Sequence, residues 1–225
     1  NAIKIDISNS VKQHLKDINH DINITNVVYE NAQARERTQV LFDYANKVNG
    51  IVIGTGDLSE LALGWCTFNG DHMSNYGVNA SIPKTLVKFA VQGYANNHKE
   101  LKEVLYDILD TPISPELLPL DNDKIVQKSE DAIGPYELHD FFLYYFLKYT
   151  LSFKKIFFLA KNAFKGKYSE QEIEKYLKIF ISRFFSSQFK RSTLPDGPKV
   201  TMISLSPRGD FKMPSDACKD TFMNF

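Results

Sequence analysis

Cysteine is scarce in this sequence. The two thiols, Cys66 and Cys218, lie far apart and share no metal-ligand spacing. That pattern argues against a disulfide framework, and reduced cytoplasmic thiols are the expectation. Charge of one sign is missing as well: 27 Lys and Arg balance 27 Asp and Glu. No net field steers the chain toward nucleic acid or an anionic membrane, so any anion site has to be local. No apolar run approaches membrane-spanning length, and no signal-peptide pattern opens the sequence. Internal repeats and low-complexity tracts are absent too.

What is present reads as an ordinary globular chain, 43% hydrophobic and 24% charged, long enough for one large domain or two small ones. It opens with Asn1, not Met, already inside an alternating isoleucine pattern. A domain rarely starts mid-pattern, so a piece of a longer polypeptide is expected. Ala2 to Ile7 reads as a strand and Ser10 to about His20 as a helix. Asn31 is expected to cap a long helix reaching Asn49, with Val40, Leu41, Tyr44, Ala45 and Val48 as its apolar stripe and Gly50 at its exit. Another strand at Ile51 would complete a right-handed β-α-β unit. Tyr76 to Ala80 reads as a further short strand, and helices are expected from Pro83 through Tyr94 and from Lys99 to Leu109.

The stretch from Ile51 to Leu86 organises the rest. Ile51-Val52-Ile53 is short and β-branched, as a strand buried on both faces of a parallel sheet would be. Gly54-Thr55-Gly56-Asp57 follows, and then a helical pattern from Leu58 to Leu63. Strand, glycine turn and helix N-terminus together can present N–H groups to an anion beyond the carboxyl end of the sheet. Asp57 with Glu60 three residues later is equally an ordinary capping box, in which the glycines only shape the turn. Glu60, Thr67, Asp71 and Lys84 are polar groups set among apolar ones, where a solvated face would carry denser charge.

Thr111 to Asp123 changes character, with Pro112, Pro115 and Pro119, and Lys124 to Ala132 stays polar. This is the one flexible segment expected, either a lid or a connection. Beyond it two aromatic stripes run at helical spacing: Leu138, Phe141, Phe142 and Tyr145, then Ile173, Tyr176, Leu177, Phe180 and Phe184 behind a Ser169–Glu172 capping box. Core or subunit interface is the expectation for both, ahead of a base-stacking platform. From Phe189 the chain reads as an irregular basic tail carrying Lys190, Arg191, Lys199, Arg208 and Lys212. Its Arg208-Gly209-Asp210 tripeptide is discounted as an adhesion signal, because nothing else marks the chain as secreted.

Five segments carry a resemblance when taken in order. They are Glu30-Asn31-Ala32-Gln33-Ala34-Arg35, the run from Gly54 through Trp65, Asn79-Ala80-Ser81-Ile82-Pro83-Lys84-Thr85-Leu86, Gln188-Phe189-Lys190-Arg191-Ser192 and Ser206-Pro207-Arg208-Gly209-Asp210. Together they resemble the C-terminal synthetase domain of glutamine-dependent NAD+ synthetase, the last segment pointing to the glutamine-using branch. The resemblance implies an α/β fold of the adenine-nucleotide α-hydrolase (ATP pyrophosphatase) type. Residues 1–110 would form a partial nucleotide-binding core, 111–134 a flexible loop, and 135–225 the helical C-terminal part and basic tail. It implies adenylation of deamido-NAD+ by ATP, then amidation by ammonia drawn from glutamine, with Mg2+ on the phosphates. Thr55, Lys84 and Ser114 resemble ATP contacts. Asn31, Arg35, Trp65, Cys66, Thr67, Phe68 and Lys190 resemble deamido-NAD+ contacts. Glu60 resembles either a deamido-NAD+ contact or a Mg2+ ligand. An N-terminal glutaminase domain and a homodimer or higher homo-oligomer are the implied partners, in the cytoplasm, with no nucleic acid and no membrane.

Two departures qualify the resemblance. The family's Ser-Gly-Gly-x-Asp-Ser phosphate loop appears nowhere in these 225 residues, which contain no adjacent glycine pair. The Cys-Glu-Lys glutaminase chemistry is missing too, and Cys66, next to Trp65, is no substitute for its nucleophile. The expectation is therefore the deamido-NAD+ half of a site, inactive by itself. The alternatives are a non-catalytic remnant kept for nucleotide binding or dimerisation, and an ATP pyrophosphatase relative that activates another carboxylate.

Overall fold

A computed structural model describes residues 2–114, 117 and 129–225. Helices α1 (Ser8–Asp17) and α2 (Val27–Lys47) precede β1 (Ile53–Gly54), α3 (Leu58–Leu63) and β2 (Tyr76–Gly77). Then follow α4 (Lys84–Asn97), α5 (Lys102–Asp110), α6 (Ser129–Ile133), α7 (Tyr136–Tyr149), α8 (Phe153–Ala163), α9 (Glu170–Ser186) and α10 (Gln188–Arg191). The α/β expectation holds only in outline: the described residues are mostly helical around one small sheet. In it β1 and β2 pair in parallel, Ile53 with Tyr76 and Gly54 with Gly77.

The aromatic stripes are core. Leu138 and Phe142 of α7 pack with Ile173, Leu177, Phe180 and Phe184 of α9, all buried in one cluster with Leu58, Leu61 and Leu63 of α3. Rings at 5.9 Å (Phe142–Phe180) and 5.6 Å (Phe180–Phe184) sit at ordinary aromatic contact distance. Ser169 and Glu172 close their capping box at the start of α9, which fixes where that helix begins.

Several local expectations fail. Ala2–Ile7 is not a strand, and Ile3 and Ile5 are 60% and 48% exposed. Alternation makes a strand only when a neighbour supplies the ladder, and no described segment does so here. The expected β-α-β unit therefore lacks its first strand, and the parallel pair is closed across α3 instead. For the same reason Ile51 and Ile53 are 64% and 48% exposed rather than buried on both faces. The cap of α2 is Asn26, whose side chain accepts from the Val28 and Tyr29 N–H groups, while Asn31 lies inside the helix. Its buried face consists of Ala32, Ala34, Thr38 and Ala45, whereas Leu41 and Val48 face outward.

Of the expected flexible segment, residues 115, 116 and 118–128, Pro115 and Pro119 among them, lie outside the described residues. Its end is not loop: Ser129–Ile133 is helical and Ser129 is buried. The tail is stitched to the sheet. Asp196 O accepts from Gly77 N (2.7 Å), Pro198 O from Ser81 Oγ (2.9 Å), and Ser81 O from Thr201 Oγ1 (2.6 Å). Gly197 is required here, since a Cβ at that position would stand 2.3 Å from Gly77 O. Arg208 pairs with Asp196 (3.0 Å) and Lys199 with Asp210, so these tail cations are engaged within the fold. No described helix is long and apolar enough to cross a membrane.

Candidate functional site

The helix N-terminus after β1 is closed by its own chain. Asp57 Oδ1 accepts from Ser59 N and Glu60 N (both 3.0 Å), and Glu60 Oε2 accepts from Asp57 N (3.2 Å). The capping-box reading is therefore the right one, and the N–H groups of α3 are not free for a phosphate. Lys84 Nζ, at the start of α4, stands 2.6 Å from both Asp57 Oδ2 and Glu60 Oε1. Burial, with Glu60 beside it, pushes the Asp57 carboxyl up to about 7 against the pull of Lys84. Burial opposes the Lys84 charge, yet Glu60 and Asp57 outweigh it and raise its pKa above the usual lysine value. Asp140 of α7 holds this arrangement from behind. It accepts from Thr85 N (3.0 Å), Thr85 Oγ1 (2.7 Å) and Ser59 Oγ, and Ser59 Oγ in turn accepts from Lys84 N (2.7 Å). This gives α4, which begins after Pro83 without a side-chain cap of its own, an anion at its N-terminus.

Two clefts share Trp65 in their walls. The first, about 250 Å3, is lined by Thr55, Ser114 and Glu60 together with Arg37, Asp71 and Ser129. The second, about 340 Å3, is lined by Asn31, Arg35, Trp65, Cys66, Thr67, Phe68 and Lys190, with Arg183 and Phe189. Trp65, Asp71 and Leu117 line both, so the two clefts adjoin. Seven of the eight residues resembling deamido-NAD+ contacts thus share one cleft, and the eighth, Glu60, lies in its neighbour. Thr55 and Ser114 lie together as well. Lys84 does not join them, reaching that cleft only through Glu60.

The turn from Gly64 to Phe68 is held rigidly. Lys190 Nζ donates to Gly64 O (2.8 Å) and Cys66 O (2.6 Å). Arg191, 0% exposed, donates to Leu61 O (3.2 Å), Ala62 O (3.1 Å) and Phe184 O, and its burial lowers its pKa to about 9. Cations at the carbonyl end of α3 suit its dipole. Thr67 Oγ1 donates to Asn31 Oδ1 (2.8 Å), Arg35 Nε to Phe68 O (3.2 Å) and Trp65 Nε1 to Ser129 Oγ (3.0 Å). Burial pushes the Cys66 thiol up to about 12, which makes it a poor nucleophile. His72 accepts from Asn69 N at Nδ1 (3.0 Å), so Nε2 carries the proton toward Thr193 Oγ1 (3.2 Å). Burial and the Lys190 charge lower its pKa.

Glu60 does not suit a divalent ion in this arrangement. Its Oε1 is on the Lys84 ammonium and its Oε2 on the capping N–H, and Asp57 shares the same ammonium. No group of three His, Cys, Asp or Glu among the described residues has a metal-binding arrangement. Sequence reasoning did not place Arg183 in the site, and it singled out Asp71 only as a polar group among apolar ones, with no ligand assigned to it. The available signal for Arg183 was a lone cation beside an apolar helical stripe, between Phe180 and Phe184. The partner of Asp71 emerges only in the fold, where Thr67 N donates to its Oδ1 (2.7 Å).

Adjoining clefts beyond a parallel β pair have the form of an α/β site for an extended ligand. A family model described as NAD synthase matches residues 1–192, and the chain belongs to that family. It is 44% identical to a glutamine-dependent NAD(+) synthetase of Mycobacterium leprae (strain TN), over 95% of this chain and 35% of that protein. Its identity to the Acinetobacter baylyi protein of the same name is 30%, over 79% of this chain and 29% of that one. The chain thus spans about a third of the length of these curated relatives. Its fold is similar to the crystal structure of a glutamine-dependent NAD(+) synthetase from Cytophaga hutchinsonii (TM-score 0.74, 17% identity, covering 96% of this chain and 33% of that one).

Proposed function

We propose that this chain is the dinucleotide-binding part of an NAD+ synthetase acting on deamido-NAD+, ATP and ammonia from glutamine. One observation carries the reading: seven of the eight residues resembling deamido-NAD+ contacts share a cleft that adjoins the cleft holding Thr55, Ser114 and Glu60. An extended dinucleotide in the cleft of Asn31 and Lys190 and ATP in the cleft of Thr55 and Ser114 would bring the nicotinate carboxylate to the α-phosphate near Trp65. A carboxylate does not react with ammonia until its oxygen is made part of a leaving group. Its oxygen attacks the α-phosphorus and pyrophosphate leaves. Ammonia then attacks the acyl carbon, AMP leaves with the carboxylate oxygen, and the amide nitrogen loses its extra proton to solvent or a nearby base.

In this reading Thr55 and Ser114 orient ATP through their hydroxyls. Asn31, Arg35 and Lys190 hold the dinucleotide, with Thr67, Cys66 and Phe68 forming the wall beside them. Glu60 fixes Lys84 at the edge of the ATP cleft, and Mg2+ would arrive on the nucleotide's phosphates. The small sheet belongs, in the same proposal, to a larger α/β sheet of the adenine-nucleotide α-hydrolase type. A glutaminase domain and assembly into a homo-oligomer complete it, with residues 1–110, 111–134 and 135–225 forming one synthetase unit.

The test is Glu60→Gln in the full-length protein, measuring NAD+ formation from deamido-NAD+, ATP and ammonia beside glutamine hydrolysis. Removing one charge at constant shape is expected to lower synthesis at least tenfold, because it takes one of the two carboxylates off Lys84, while hydrolysis is spared. If the wild-type protein makes no NAD+ from these substrates, the reading fails. If the variant matches wild type, Glu60 serves only the cap of α3.

A further inference from the structure

Arg183 reaches from α9 to the underside of the Gly64–Phe68 turn. Its Nε donates to Leu63 O (3.0 Å), and its guanidinium lies 4.8 Å from the Trp65 ring centroid. These two contacts fix the plane of the fork. No ion pair among the described residues involves Arg183. The outer N–H groups of the fork are therefore left for the cleft that Arg183 lines with Asn31, Trp65 and Lys190.

The other cations nearby are differently engaged. Lys190 spends two N–H groups on the Gly64 and Cys66 carbonyls, and Arg191 is wholly buried on three backbone oxygens and Gln188 Oε1. Arg35 is exposed and turned to Phe68 O. Arg183 is thus the half-buried, carboxylate-free guanidinium beside the ring that both clefts share. Planar guanidinium groups recognise carboxylates through parallel N–H···O bonds, and partial burial strengthens those bonds.

We propose that Arg183 reads the nicotinate carboxylate of the dinucleotide and so separates substrate from product. This rests on the function proposed above, which brings that carboxylate to the junction at Trp65. The substrate's carboxylate accepts charge-assisted bonds from the fork. The product's amide has no charge, and its NH2 donors meet a group that only donates. Arg183 is therefore a specificity-determining residue: it favours binding of the acid and release of the amide.

The test uses the full-length protein and calorimetric titration with deamido-NAD+ and with NAD+, in wild type, Arg183→Met and Arg183→Gln. Wild type is expected to bind the acid at least tenfold more tightly than the amide. Both variants are expected to weaken deamido-NAD+ about ten- to a hundredfold, the size of a lost charge-assisted bond, and NAD+ less than about threefold. Arg183→Gln keeps a donor for Leu63 O, so it carries the test if the Met variant fails to fold. Equal weakening of both ligands would overturn the inference, showing that Arg183 serves the shared pyrophosphate or merely supports Trp65. Unchanged binding of both ligands would overturn it too. A wild type that binds neither dinucleotide would instead remove the reading on which the inference rests.

Discussion

His139 is 1% exposed within the aromatic core, its ring 6.2 Å from those of Phe142 and Phe180. Nε2 reaches Ile133 O at 2.8 Å and so carries the proton, while Nδ1 has no hydrogen-bond partner. Burial lowers its pKa from 6.5 to about 4. An unfolded chain then binds a proton that the folded chain refuses, so stability falls as pH drops from about 6.5 toward 4. At pH 5 this residue should leave the chain about 2 kcal/mol less stable than at pH 7. Urea denaturation at both pH values checks it, and His139→Gln is expected to remove most of that difference. An unchanged pH dependence in the variant would show that other groups carry it. Arg191 makes the complementary point about what a sequence reveals. It reads as one basic residue of an irregular tail, yet it is wholly buried under α3. Its burial depends on carbonyls some 130 positions away, so no local pattern announces it.

The start of α9 was legible because its determinants are local: Ser169 and Glu172 satisfy each other, and the stripe that follows has its own period. Ser169→Ala removes the side-chain acceptor for Glu172 N and should cost about 1 kcal/mol. A lower urea midpoint with an unchanged slope is the expected result, and an unmoved midpoint would mean that packing alone holds the helix start. In α2 the same kind of reasoning misses. Asn26 and Asn31 are both plausible caps by residue type, and the choice is settled by where the preceding turn leaves the chain. Its stripe misleads for a related reason, because alanines let α2 approach the turn around Gly70, where Ala34 is in close contact. Ala2–Ile7 shows the general limit. Period alone cannot specify a strand when its ladder depends on another segment.

At the scale of the whole chain, its two halves of a site are unequally furnished. The cleft assigned to the dinucleotide has its walls fixed by α2, the Gly64–Phe68 turn and α10. Its legibility came from residue identities in order, since residues as distant as Asn31 and Lys190 share no periodicity. Triphosphate binding is a different matter. The cradle for it is normally a row of backbone N–H groups in a glycine-rich turn. Here the N–H groups of α3 are taken by Asp57, Lys84 is shared by two carboxylates, and Lys199 and Arg208 are paired. No adjacent glycine pair occurs in the sequence to build another such turn. These 225 residues by themselves should therefore bind deamido-NAD+ yet form no NAD+ when given ATP and ammonia. A thermal melt first confirms that the preparation is cooperatively folded. Titration with deamido-NAD+ and an end-point assay for NAD+ then separate the two halves. Product clearly above a no-enzyme blank would refute the argument, because the phosphates would then be held by groups that already have partners in this fold. Failure to bind the dinucleotide would show that its cleft also needs residues outside this chain.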